Sequence, residues 1–438
     1  MLSIIKKSVD ITSLAVGAAG LGMGLVVGSS LFVVEASLKS MTSWGTIFAM
    51  TGTYLCLLML ILSSRSPFLE KEIGHDKMIL WHRKIAPYAL ILIFAHVFFT
   101  TLGYAKPIKQ TFWSQTQMFF SEYPWMPEAI AAFVIMIILG VMSYKFIRNR
   151  MRYEIWWTLH LLFYVSVILA FGHQLDNGNI FIKHSFIRAC WIIFYILVFI
   201  AIIVNRFIQP FIFSRRHKLE IKRVVKETDN VYSVYITGDR LGDIDARGGQ
   251  FFQWRFLTRK WWWQAHPYSL SRSPLSGDLR ITVKILGDHS HDLARRLKPG
   301  TKIFAEGPYG IFTSRRRETN LIAAFAAGVG ITPILAVLEE LPYRAEVTLI
   351  YRVPTFDDII FGDELDYLFL REGWTLYYLI GNRSEHPMTA DNIRQYIPDI
   401  SFRDVFVCGS ESFMDDVITL ALNAGVMDNR IYHESFSF

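Results

Sequence analysis

The sequence predicts a multidomain membrane protein: a bundle of six transmembrane helices, then a soluble module made of a small antiparallel β-barrel and an α/β domain. Three observations carry this. Apolar residues concentrate before about Asn205, and charge density rises after it. Between about His217 and Phe312 the pattern becomes short alternating runs. From Thr319 it becomes strand, glycine loop, helix. The implied domains are 1–212, 213–315 and 316–438.

Composition sets the outer limits. The 438 residues are 52% hydrophobic and 15% aromatic, with mean hydropathy +0.30, too apolar for one soluble globule. The net charge of +7 fits basic loops on one side of a membrane. No aromatic and basic reading surface accompanies it, which excludes nucleic acid as a partner. Cys56, Cys190 and Cys408 form no C-x-x-C, which argues against an iron–sulfur cluster or a disulfide framework.

The apolar runs are residues 11–34, 44–62, 85–103, 127–144, 155–172 and 186–207, close to the ~20 residues that cross a bilayer. The first has too long an apolar core for a signal peptide. Six spans put both termini on one side. The basic residues of 6–7, 65–84, 145–152 and 206–218 fall on that side, which the positive-inside rule makes cytoplasmic. The expectation is a multi-pass plasma-membrane protein whose soluble half is cytoplasmic. Residues 104–126, rich in Phe, Trp and Gln with Pro107 and Pro124, read as an outer interfacial segment.

Ionisable side chains inside spans are costly and point to function. His82 and His96 bracket the third span; His160 and His173 bracket the fifth. Two histidines on each of two neighbouring helices can hold two stacked haems, one ligand from each helix. Such bis-imidazole ligation suits electron transfer rather than oxygen binding at the metal. Fourteen residues return to within about 40° of the same helix face, so His82 and His96 align. Thirteen leave His160 and His173 about 140° apart on an ideal helix. This predicts an extra-residue bulge in the fifth span, or His173 leaving the helix after Gly172. His184 competes with His173 as a ligand, whereas His75, in a charged loop with Glu72 and Asp76, reads as solvated.

In the soluble half, runs 219–225, 231–237, 251–256, 279–285 and 301–306 suggest the barrel strands. His266, Pro267, Tyr268, Ser269, Leu270 and Ser271 form a compact aromatic and hydroxyl motif between them. Val283 and Lys284 precede Gly287, His289, Ser290 and His291, whose amides and hydroxyls before a helix over 292–297 suit a pyrophosphate. The turn 306–310 (E-G-P-Y-G) closes the barrel. Gly328, Gly330, Thr332 and Pro333 lie between a strand and a helix, where glycines let backbone approach a dinucleotide and Thr332 offers a hydroxyl. Arg352, after the next strand, is a candidate for the 2′-phosphate that distinguishes NADPH from NADH, and Arg383 is a second.

Taken in order, these motifs and the four histidines resemble the NADPH oxidase and ferric reductase superfamily over nearly the whole chain. The resemblance implies a ferredoxin–NADP reductase-like module that binds FAD and NADPH, behind a bundle holding two b-type haems. It pairs His82 with His160 at the inner haem and His96 with His173 at the outer one. It places the Tyr268 ring on the isoalloxazine and Ser269 near flavin N5 or O4. His266, where many flavin reductases carry Arg, is similar to the oxidase branch. The resemblance also implies that Cys408, with Gly409 at the end of a strand, lies beside the nicotinamide carbon, and that Phe436 stacks on the flavin until nicotinamide displaces it; Phe438 is the alternative stacker.

The implied reaction is transmembrane electron transfer from NADPH through FAD and both haems to an acceptor. Oxygen, giving superoxide, comes first and a ferric chelate second. Thr100 stands one turn beyond His96, where animal oxidases place charged or His residues, which favours reduction of several acceptors. A haem-free, membrane-anchored flavoprotein serving a partner protein is the reading of a different class. The chain has no D-x-D-x-D-G calcium loop and about ten residues before its first run, so activity without cytosolic activators is expected.

Overall fold

The computed structural model describes residues 20, 22–25, 28, 40–151, 153–259, 261–285, 297–382, 385–386 and 388–435. The chain divides into two compact units, Met1–Arg206 and Phe207–Phe438.

The first unit is helical. Helix α1 (Met41–Ser63) begins at Ser40, whose side chain accepts the Thr42 N–H. It runs antiparallel to α2 (His75–Ala105). Small residues let the two backbones touch. A Cβ on Gly45 would strike the Thr100 hydroxyl, one on Gly52 would lie 3.0 Å from Ile93, and one on Gly103 would lie 2.6 Å from Thr42. Pro87 sits inside α2 and removes one backbone bond from it. Helix α3 (Phe112–Glu122) occupies the stretch expected to be interfacial, exposing Trp113 and Phe120 and burying Gln115 and Phe119.

Among the described residues four helical runs are long and apolar enough to cross a membrane: Met41–Ser63, Lys77–Ala105, Ile155–Asn177 and Ser185–His217. Helix α4 (Met126–Met142), with 17 residues, is shorter. The expected first span lies mostly outside the described residues. Within it Gly22 and Leu25 are helical and buried, and a Cβ on Gly22 would meet Phe194 at 2.6 Å.

The expected departure from helical geometry in the fifth run is present, but in a different form. The run is three pieces, α5 (Tyr153–His160), α6 (Leu162–Leu169) and α7 (Phe171–Asn177). The breaks are Leu161, with ψ −19°, and Ala170, with ψ −7°, both shallower than α-helical backbone. The first is closed by a three-residue hydrogen bond from Tyr164 N–H to Leu161 O at 3.1 Å. Such tight turns overwind the chain, whereas a bulge would underwind it. His173 remains inside α7. The last run comprises α8 (Ser185–Ile203), a π-turn over Val204–Ile208 and α9 (Gln209–His217).

The second unit opens with six antiparallel strands: β1 (Glu220–Thr228), β2 (Val231–Thr237), β3 (Phe251–Phe256), β4 (His266–Ser269), β5 (Leu279–Lys284) and β6 (Ile303–Tyr309). They form sheets β1-β2-β5 and β4-β3-β6. Bridges Leu270–Ile281 and Glu220–Lys302 join the sheets at both edges, closing a barrel around Phe252, Trp254, Phe256 and Ile281.

A five-stranded parallel sheet follows, with β7 (Leu321–Ala327), β8 (Glu346–Val353), β9 (Thr375–Ile380), β10 (Asp404–Gly409) and β11 (Ile431–Ser435) in the order β11-β10-β7-β8-β9. The order reverses between β7 and β10, and in doubly wound sheets ligands bind outside the carboxyl ends at that point. Helix α10 (Ile331–Leu338) leaves β7 there, and α11 (Gly362–Glu372) and α12 (Glu411–Asn423) follow β8 and β10.

Barrel and parallel sheet are locked by a polar seam. Glu340 accepts the Gly248 N–H at 2.7 Å and the Ser273 hydroxyl at 3.0 Å. Glu339 accepts the Ser273 N–H at 2.6 Å, and burial holds its carboxyl above the usual range. At Gly248 any Cβ would strike the Ala336 carbonyl, a backbone atom that cannot move aside. Gly248→Ala is therefore expected to cost about 1–3 kcal/mol, lowering the Tm of this unit by roughly 3–10 °C. Gly242→Ala, where a Cβ meets nothing within 4 Å, serves as the control. Equal melting of the two variants contradicts the seam.

Candidate functional site

The four intramembrane histidines come together in two pairs. His82 and His96 are on α2, His160 ends α5 and His173 is in α7. The His82 and His160 ring centres are 6.2 Å apart, and those of His96 and His173 are 6.4 Å apart. The ring facing His96 is that of His173; His184, the rival, caps α8.

Neighbouring groups take the Nδ1 side of the rings. His96 Nδ1 lies 2.9 Å from the Gly45 carbonyl and 3.2 Å from the Thr100 hydroxyl. His160 Nδ1 lies 3.3 Å from the Ser143 hydroxyl, which also accepts the Trp156 indole N–H at 3.4 Å. For His82 and His173, by contrast, Nδ1 is buried with no hydrogen-bond partner among the described residues. A partner at Nδ1 leaves Nε2 as the metal-binding nitrogen. Two imidazoles on one metal, each bonded at about 2.0–2.1 Å, have ring centres roughly 6.3 Å apart. Both pairs have that spacing.

Thr100 is accounted for here: it packs at Gly45 and holds His96 rather than standing over an acceptor. His75 departs from the solvated reading. Gly74, at φ +88°, turns it inward, and its Nδ1 lies 2.7 Å from the buried Glu70 carboxylate.

In the second unit β4 consists of His266, Pro267, Tyr268 and Ser269, paired with Trp254, Gln253, Phe252 and Phe251 of β3. The Trp254 indole donates to the Tyr268 carbonyl at 2.9 Å, and the His266 and Tyr268 rings stack 6.2 Å apart. Leu270 and Val283 point into the barrel core, which leaves only their backbone for a cofactor. Lys284 is exposed.

Ser271 anchors a network that the sequence reading missed. Arg280, only 2% exposed, donates to the Ser271 carbonyl at 2.6 Å and hydroxyl at 3.2 Å, and to Glu364 of α11 at 2.7 Å. Its guanidinium also lies 4.0 Å over the ring of Phe361. Burial opposes the Arg280 charge, but Glu364 outweighs it and holds the pKa above the ordinary arginine value. A lone charge in the otherwise buried run 279–283 was the available signal.

At the switch point Gly328 has φ +52° and open space beside it, whereas a Cβ on Gly330 would strike the Cys408 carbonyl. The first glycine leaves room for a ligand and the second lets the β7 and β10 loops pack. The Thr332 hydroxyl donates to Val329 O at 2.9 Å, shaping the loop from within. Pro333 is buried in α10. Arg352 is the penultimate residue of β8, paired with Ala327. Gly409 packs on Ala327, and Cys408 is fully buried with its thiol 3.4 Å from the Glu434 carbonyl. Burial and the nearby Glu434 charge push that thiol well above its ordinary pKa. Gly287, His289, Ser290, His291, Arg383, Phe436 and Phe438 lie outside the described residues.

Tyr351, also missed, is buried with its hydroxyl donating to Gly328 O at 3.2 Å and accepting the Ile360 N–H at 3.2 Å. Tyr351→Phe leaves both groups unpaired beside the glycine loop. At ~1.4 kcal/mol this raises KM for the nicotinamide nucleotide roughly tenfold with little change in kcat. An unchanged KM in steady-state assays contradicts this positioning role.

Comparison with known proteins adds the following. Residues 48–171 match the family described as ferric reductase like transmembrane component, and residues 216–313 match an FAD-binding domain. The chain is similar to an NADPH oxidoreductase of Mycobacterium tuberculosis, 29% identical over 239 residues, covering 52% of this chain and 62% of that one. It is similar to the ferredoxin reductase component of 3-ketosteroid-9-alpha-monooxygenase from Rhodococcus rhodochrous, 29% identical over 232 residues, covering 51% and 66%. The chain thus spans under two thirds of the length of these relatives. Among solved structures, the FAD/NAD-binding domain of nitric oxide dioxygenase from Vibrio cholerae matches 51% of this chain and 99% of its own at 25% identity and TM-score 0.43. The chain thus joins a segment that matches a ferric reductase like transmembrane component to a segment that matches an FAD-binding domain.

Proposed function

We propose that this protein carries electrons from cytoplasmic NADPH through FAD and two haem b groups to an acceptor on the far side of the plasma membrane, with oxygen, giving superoxide, as the first choice. His82 and His160 hold the inner haem; His96 and His173 hold the outer one. The observation that carries the reading is the pair of ring separations, 6.2 and 6.4 Å, which fit two imidazoles on one iron. FAD bound here would supply the conversion of hydride to single electrons, and haem held by these imidazoles would supply single-electron exchange.

The chain's own residues position and exclude. Tyr268 and Ser269 on β4 receive the flavin ring, and His266, with 287–291, the rest of FAD. Gly328 and Gly330 admit the dinucleotide, and Arg352 with Arg383 selects its 2′-phosphate. Cys408 fills the space beside the nicotinamide, and Phe436 covers the flavin when nicotinamide is away. Domains 1–212, 213–315 and 316–438 take haem, FAD and NADPH in turn, with both termini cytoplasmic.

A second reading, ferric-chelate reduction, gains support from Thr100, which is spent on holding His96 and so supplies no oxygen-polarising group. The haem-free reading requires a protein whose visible spectrum is that of flavin alone, with no haem bands.

Purified protein with FAD, NADPH and cytochrome c tests the proposal. Superoxide dismutase is expected to remove most reporter reduction. No effect of dismutase, with ferric chelate reduced as fast under nitrogen, overturns the oxygen reading in favour of the chelate. His96→Leu is expected to abolish acceptor reduction while NADPH still bleaches the flavin. Undiminished acceptor reduction by that variant contradicts the histidine route.

A further inference from the structure

We propose that the loop between β3 and β4 is an interfacial anchor that inserts Trp262 and Trp263 into the anionic headgroup layer of the bilayer. Three adjacent tryptophans, 261 to 263, follow Arg259. Trp261 is 2% exposed and belongs to the barrel core, while Trp262 and Trp263 are 61% and 43% exposed. The loop is built rather than loose. Trp261 N–H donates to the Thr258 hydroxyl at 3.3 Å, Trp262 N–H to Thr258 O at 3.2 Å, and Gln264 N–H to Trp261 O at 3.0 Å. A buried first indole therefore presents the next two outward. Exposing two large aromatic rings to water is costly, and indoles favour the membrane–water boundary.

Helix α9, in the same unit as the loop, has the character of that boundary. That helix exposes Phe211 and Ile212 and ends in Arg215 and Arg216, an apolar-to-basic order suited to headgroups. It also packs on the barrel: the Ser214 hydroxyl accepts the Ala305 N–H of β6 at 3.2 Å. Ala305 pairs with Trp254, and Leu257, the first loop residue, donates to Lys302 O at 2.9 Å. The loop thus begins about 10 Å along the strands from the emerging helix. Exposed Leu257 and Arg259 flank the indoles, supplying apolar contact and a cation for lipid phosphate.

The test uses full-length protein in nanodiscs, with a fluorophore on Trp262→Cys and, as control, on Tyr343→Cys, 90% exposed elsewhere on the same unit. Lipid carrying a headgroup nitroxide is expected to quench the 262 label several-fold more than the 343 label, and aqueous iodide to quench it less. Trp263→Cys gives the same readout should the first variant fold poorly. Quenching is expected to increase when phosphatidylglycerol is added to phosphatidylcholine, and Arg259→Glu to remove the increase. A 262 label that behaves like the 343 label overturns the proposal. So does one shielded from both quenchers, which places the loop against protein, and so does quenching indifferent to anionic lipid.

Discussion

An imidazole inside a hydrocarbon layer needs a partner, and two helices here each carry two imidazoles at nearly the same depth. That constraint shapes the first unit. Helix α2 meets it with fourteen-residue spacing, which keeps His82 and His96 on one face. The partner run has thirteen, and its breaks at Leu161 and Ala170 overwind the chain so that His160 and His173 both face α2. The glycines of α1 belong to the same requirement. Gly45 brings a backbone carbonyl within 2.9 Å of His96, fixing which ring nitrogen is left for a metal.

The second unit meets a different constraint. Hydride moves only between groups held in contact, so a flavin strand and a nucleotide loop on separate sheets must keep their spacing. Arg280 reaches from the end of the flavin motif to Glu364 of the nucleotide half. Glu339 and Glu340 bind Ser273 and Gly248 from the other side. Close packing of Gly330 on Cys408 then sets the floor of the crevice. Removing Glu364 would leave the buried Arg280 charge uncompensated, which makes the seam stiff.

Much of this was legible in the sequence because it follows period and punctuation. The runs 231–237 and 251–256 are strands β2 and β3 as read, and the G-V-G loop lies between β7 and α10. What was not legible depends on tertiary choice. No glycine or proline marks Leu161 as a break, whereas the break at Ala170 falls two residues before the Gly172 that the sequence reading singled out. The Thr332 hydroxyl reads as free in the motif, and the tight loop offers it Val329 O. His75 looked solvated among charges, but the turn at Gly74 tucks it onto Glu70. Tyr351 carries no pattern signal, since its role lies in a hydroxyl reaching two loops at once.

The central claim is that each imidazole pair brackets one iron. Haem content and optical spectra of the purified full-length protein test it most directly. The account predicts two haem b per chain, both six-coordinate and low-spin, with one lost on replacing His82 and the other on replacing His173. A protein with no haem bands, or one whose haem is unchanged by both substitutions, contradicts it.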